Sequence, residues 1–157
     1  DLQLSIAENS LSRQLDWVRA ADTKIPPLFA INVAMLTVLA SQQLSIDARG
    51  GWAVFCALVA VVLIVISIFF LAYAAVPKLG KPGPSVVYFG GISEMGRERF
   101  LEIMSRSNFS EYITELHVQA FKNAEIANKR YRAITRSYRY AFSALPFWLA
   151  GMIGAFT

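Results

Sequence analysis

The sequence predicts an all-α membrane protein: three transmembrane helices, an amphipathic N-terminal helix before them, and a helical cytoplasmic extension between spans two and three. Two observations set that class. Hydrophobic residues make up 55% of the 157 and charged residues 17%, with a mean hydropathy of +0.44, whereas a soluble domain devotes about a quarter of its residues to charge. The charges are also unevenly spread, because residues 25–46, 50–77 and 140–157 contain no Asp, Glu, Lys or Arg. As helices rising about 1.5 Å per residue, these stretches reach roughly 33, 42 and 27 Å, against a hydrocarbon core of about 30 Å. A chain of this length needs no second domain, so 1–157 reads as one membrane unit.

Residues 1–24 form the cytoplasmic amphipathic helix. Leu11, Leu15 and Val18 recur at helical spacing, and Ser12, Arg13, Gln14, Asp16 and Arg19 take the other positions. Three basic and four acidic residues make this stretch unlike a cleavable signal, so no targeting segment is expected in it. Pro26 and Pro27 follow. Proline fits the first turn of a helix, where its missing N–H has no partner to lose, so the pair marks either a fresh helix or a bend in one long helix. The first span (25–46) includes LFAINVAMLTVLASQQL, and SIDARGG is a short polar connection that returns the chain antiparallel.

The second span (50–77) contains VFCALVAVVLIVISIFFLAYAA, apolar on every face, which predicts substantial lipid contact. Trp52 and Tyr73 lie near its ends, where amphipathic aromatic rings favour the headgroup zone. Cys56 is the single cysteine, which excludes an intramolecular disulfide and a Cys-based metal cluster and leaves it a small packing or lipid-facing residue.

Three prolines and four glycines over 77–93 then forbid a continuous helix. Within that stretch VVYF reads as a short extended piece, and Ser93 as the cap of an amphipathic helix over 94–106 carrying Phe100, Leu101, Ile103 and Met104. Asn108 and Glu111 have the spacing of a capping box. Beyond them Phe109, Ile113, Leu116, Ala120, Ala124, Ala127, Tyr131, Ile134 and Tyr138 recur at the helical period, with Lys122, Glu125, Lys129, Arg132 and Arg136 on the other side. No proline or glycine interrupts 109–145, so this helix is expected to continue into the third span (140–157), with Pro146 kinking it and Gly151 and Gly154 allowing close approach of another helix. Of 15 Lys and Arg, 11 lie in the 78–139 extension and only Arg49 in the first connection, which places the N-terminus and the extension in the cytoplasm.

Catalytic chemistry is poorly provided for. His117 is the only histidine, no HxxxH or HExxH pattern exists, and GGISEMG (90–96) lacks the spacing and context of a phosphate loop. The expectation is therefore a protein that is not an enzyme and needs no metal or cofactor. Two other sets stand out. Asn32, Thr37 and Ser41 are polar residues within the first span, and with Pro26, Pro27 and Pro146 they are the candidates for gating or assembly, since an amide in lipid must face protein or water. Lys129, Arg130, Arg132, Arg136 and Arg139 precede the third span and are the candidates for contact with lipid or phosphate. The positive surplus is local and the net charge is only +4, so no nucleic-acid partner is expected.

Taken in order, ADTKIPPLFAIN, a second span, VVYFGGIS, and ELHVQAFKNAEIANKRYRAI before a third span resemble the transmembrane Pycsar effector family of bacterial anti-phage defence. The resemblance covers nearly the whole chain. It implies a multi-pass inner-membrane effector that works beside a pyrimidine cyclase, takes cyclic CMP or cyclic UMP as its possible ligand, and impairs the membrane to stop growth before phage multiply. A homo-oligomer in the lipid bilayer is the expected assembly. The alternative is a membrane scaffold or sensor subunit with no pore, its basic cluster binding anionic lipid or a partner protein.

Overall fold

The computed structural model describes residues 2–42, 51–76, 85–106 and 108–153. Among them every regular element is a helix: α1 (Leu2–Asp22), α2 (Ile25–Gln42), α3 (Gly51–Ala75), α4 (Phe89–Met95), α5 (Arg97–Arg106) and α6 (Phe109–Ile153). The first connection with Arg49, residues 77–84 of the proline- and glycine-rich stretch, and Gly154 lie outside the described residues. The chain separates into two compact units, one of Asp1–Ala20 and Pro77–Asn128, the other of Ala21–Val76 and Lys129–Thr157.

In the second unit the paired prolines begin a helix. The Lys24 N–H donates to the Ala21 carbonyl at 3.1 Å, closing the end of α1, and α2 starts at Ile25 with Pro26 and Pro27 in its first turn. No backbone hydrogen bond is lost by their placement there. Two runs of the described residues are long and apolar enough to cross a membrane: Leu2–Ser41, whose apolar part is α2, and α3. The third uncharged stretch is described over 140–153, at the end of α6. At 1.5 Å per residue that portion covers about 21 Å, and the rest of the expected span lies outside the described residues.

α3 shows what an all-apolar helix does when hydrophobicity cannot choose its face. Its buried side carries Ala53, Cys56, Ala57, Ala60, Ile64, Ser67, Leu71 and Ala74, mostly small residues, at steps of one, three or four. Its other side carries Phe55, Leu58, Val62, Val65 and Phe69, each more than half exposed. A soluble protein sorts by dislike of water and would bury the large residues. This helix sorts by size, as expected where lipid tails solvate bulky side chains as well as protein does and close helix approach is what packing gains. Cys56 is accordingly a packing residue, 1% exposed.

Three apolar clusters hold the unit together. Met35 and Leu39 of α2 pack with Ala57, Ala60 and Ile64 of α3 and Ala144 of α6. Leu28, Leu71 and Ala141 form a second cluster, and Ala21, Ala74, Ala133 and Ile134 a third. At Gly151 α6 approaches α3 closely, and a Cβ there would lie 3.1 Å from the Ala57 nitrogen and 3.2 Å from its Cα. Trp148 adds a cross-helix bond, its indole N–H donating to the Met35 carbonyl at 3.0 Å.

In the first unit the segment before α4 is fastened to α6 by side chains. The Ser85 hydroxyl, nearly buried, accepts from the Val87 and Tyr88 N–H groups at 3.3 and 3.0 Å and from Gln119 Nε2 at 3.2 Å. Glu115 Oε1 accepts the Val86 N–H at 2.8 Å. VVYF is therefore not one extended piece: residues 86–88 bend around the Ser85 hydroxyl, Tyr88 with an extended backbone, and Phe89 opens α4. Ser93 falls inside α4 and caps nothing. The break comes three residues later at Gly96, whose φ of 77° lies in the left-handed region open to glycine. Gly91 packs directly on the Ser85 backbone, so a Cβ would meet its N and O at 2.9 Å. Gly91 and Gly96 of GGISEMG thus serve a close approach and the break between α4 and α5.

α6 begins at Phe109 as the capping-box spacing predicts, with the Asn108 carbonyl accepting the Glu111 and Tyr112 N–H groups. Its buried residues include Leu116, Ala120, Ala127 and Ile134 of the expected stripe, but the continuation runs through Ser137, Ala141 and Ala144, while Tyr138 is exposed. The aromatic ring fits the apolar period and is too large for the seam.

Gly151→Ala places a methyl group against the Ala57 backbone, and overpacking of this kind costs about 1–3 kcal/mol. Thermal unfolding of the detergent-solubilised protein, followed by circular dichroism, is expected to give a lower midpoint for Gly151→Ala and a lower one again for Gly151→Leu. Unchanged midpoints for both would refute the close α3–α6 approach.

Candidate functional site

The most unusual place in the second unit is polar. Asn32, Ser67 and Ser137 are each 0% exposed. Asn32 lies on α2 between Leu28 and Met35, and Ser67 on α3 between Leu71 and Ile64, so both fall in the interval between the first two apolar clusters. Ser67 Oγ donates to the Ser137 carbonyl at 3.0 Å and stands 2.7 Å from Ser137 Oγ, which is left to donate to it. That pair is fully satisfied. Asn32 is not: its Nδ2 donates to the Leu28 carbonyl at 2.7 Å, one turn back on the same helix, and its Oδ1 is buried without a partner. An acceptor stranded in an apolar interior costs about 1–3 kcal/mol relative to one that is bonded.

The other polar residues of the first span behave differently. Thr37 Oγ1 donates to the Val33 carbonyl at 2.9 Å and Ser41 Oγ to the Val38 carbonyl at 2.8 Å, and both residues are exposed on the outer face of α2. Their hydroxyls are satisfied by their own helix, which lets them face lipid cheaply. Of the expected trio only Asn32 points inward, and its buried polar neighbours in the unit, Ser67 and Ser137, belong to other helices. Sequence reasoning missed those two, although Ser67 is the one serine of the 50–77 run and Ser137 lies three residues before the 140–157 run. Pro26, Pro27 and Pro146 are exposed, and Pro146 sits inside α6, where it cannot donate to the Phe142 carbonyl.

The basic cluster divides. Arg130 turns inward, its side chain 16% exposed, and pairs with Asp22, the last residue of α1. Beside it the Lys24 ammonium lies 4.9 Å from the centroid of the Tyr131 ring. Lys129, Arg132, Arg136 and Arg139 remain exposed, and Arg136 stands over Phe70 of α3 at 5.7 Å. His117 is exposed on α6 in the first unit.

The family model for the Pycsar effector protein domain matches residues 6–156. The chain belongs to this family. No curated protein and no solved structure matches it significantly. Membership makes it a transmembrane effector of anti-phage defence, linked to a cyclic nucleotide signal made by a cyclase. The segments that carried the sequence resemblance are joined in space within each unit. ADTKI of this Pycsar effector meets NKRYR through Asp22–Arg130 and Lys24–Tyr131, and SVVY meets ELHVQ through Val86–Glu115 and Ser85–Gln119. Contact, more than chemistry, is what those residue types supply.

Asn32→Leu in the Pycsar effector replaces the stranded acceptor by an apolar group of similar size, so its thermal midpoint in detergent is expected to rise. Ser67→Ala removes two bonds between helices, each worth about 0.6 kcal/mol on average in membranes, and its midpoint is expected to fall. Destabilisation by Asn32→Leu would mean that the amide oxygen has a partner after all.

Proposed function

We propose that this Pycsar effector spans the bacterial inner membrane three times with its N-terminus in the cytoplasm, and that cyclic CMP or cyclic UMP from a partner pyrimidine cyclase switches it to a state that impairs the membrane and causes abortive infection. The observation that carries this reading is the buried, unpartnered Asn32 carbonyl between two apolar clusters, in a chain of this family. A buried acceptor without a bond gives one packing of α2 a cost that a second packing, with water or another subunit supplying the donor, removes. α6 is continuous from Phe109 to Ile153, so a rotation imposed on its cytoplasmic turns also turns Ser137 and Ala141. Oligomerisation supplies the pathway that three helices alone are too few to enclose.

The second reading, a scaffold or sensor subunit with no pore, is favoured by the exposed cations of α6, which suit lipid or an acidic partner. Dye-loaded liposomes bearing the protein separate the two. Cyclic CMP or cyclic UMP is expected to release dye from wild-type liposomes, and from Asn32→Leu liposomes at a markedly lower rate. Retention of dye by the wild type under both nucleotides, beside a working pore control, would favour the scaffold.

A further inference from the structure

Lys129, Arg132 and Arg136 follow one another on α6 at steps of three and four, so they share one side of the helix. Together with Phe69, Phe70 and Tyr73 of α3 they line a cleft of about 360 Å³. The cleft holds three cations and no carboxylate, and among the described residues none of the three forms an ion pair. Arg130, one residue from Lys129, is turned away and neutralised by Asp22. One cation is also held in place. Arg136 lies 5.7 Å from the Phe70 centroid, and the Phe70 ring is in turn stacked on Tyr140 at 5.6 Å with 10° between the planes. A guanidinium fixed over an aromatic face keeps its N–H fork free for a planar pair of anionic oxygens.

The level of the cleft narrows the ligand. Its aromatic wall is the last two turns of α3, the most apolar helix of the chain, and its cationic wall ends at Arg136, one turn before the uncharged stretch of α6 begins at Tyr140. The charged turns of α6 therefore give way to uncharged ones beside the end of the apolar α3, which is the change a bilayer makes from phosphate to acyl chain. Phe69 is 66% exposed beside the cations, an apolar surface continuous with a phosphate site.

We propose that this cleft binds the phosphodiester of an anionic phospholipid headgroup, with Lys129, Arg132 and Arg136 on the phosphate and Phe69 against the acyl chain. The inference rests on the placement of α3 in a membrane and is independent of activation by a nucleotide. Soluble phosphodiesters share the same chemistry, and the test separates them from lipid. Fluorescent short-chain phosphatidylglycerol, titrated into the full chain in neutral detergent, is expected to bind about tenfold more tightly than phosphatidylcholine. Lys129→Gln, Arg132→Gln and Arg136→Gln combined are expected to abolish that preference, whereas Arg13→Gln, Arg97→Gln and Arg99→Gln, which remove equal charge from other exposed positions, leave it intact. If the triple variant loses helical circular dichroism, Arg132→Gln alone is used and is expected to weaken the preference about threefold. Equal loss in the control set, or equal affinity for the two lipids, overturns the proposal. So does displacement of the label by an equal concentration of cyclic CMP or cyclic UMP, which assigns the cleft to the soluble ligand. Carbonate extraction of the wild type from membranes is scored separately, so failure of membrane residence is distinguishable from failure of headgroup binding.

Discussion

Between α3 and α6 the backbones come close enough that side-chain volume, point by point, decides what can stand there. Ala57 faces Gly151, Ala60 and Ile64 meet Ala144, Ser67 bonds Ser137, Leu71 meets Ala141, and Ala74 packs on Ala133 and Ile134. At nearly every step one partner is small. In lipid no hydrophobic force drives two apolar helices together, so dispersion between close surfaces must do so, and it vanishes when a bulky residue holds them apart. The outward position of Phe55, Leu58, Val62 and Phe69 follows from the same constraint.

This explains how far the sequence could be read. The long helices were visible because charge is expensive in lipid and its absence over 25–46 and 50–77 leaves a mark in composition alone. The start of α6 was legible from a local signal, the spacing of Asn108 and Glu111. The faces were harder. Hydrophobic periodicity reports which side avoids water, and α3 avoids water on all sides, so its seam of alanines carried no contrast. On α6 the same reasoning followed the apolar period to Tyr138 when the seam had moved to the smaller Ser137. The bend at 85–88 was beyond local reading, since its fasteners, Glu115 and Gln119, come 29 and 34 residues later than the atoms they bond.

The polar residues of the first span illustrate a related limit. Composition marks Asn32, Thr37 and Ser41 equally, yet a hydroxyl can return its proton to its own helix and an amide cannot satisfy both of its ends that way. Thr37 and Ser41 are therefore content on the surface, and Asn32, placed inside, keeps one end unbonded. Two of the apolar clusters flank it closely enough to hold that strain in a folded bundle.

Asp22 and Arg130 lie 108 residues apart in the chain. Translation proceeds from the N-terminus at about 5–20 residues per second, so the carboxylate waits roughly 5–20 s on the ribosome before its guanidinium has even been polymerised. During that interval the start of the first apolar helix has no latch to α6. The pair therefore closes only after synthesis has passed Arg130, and a product truncated before it keeps the α2–α3 packing but lacks this latch.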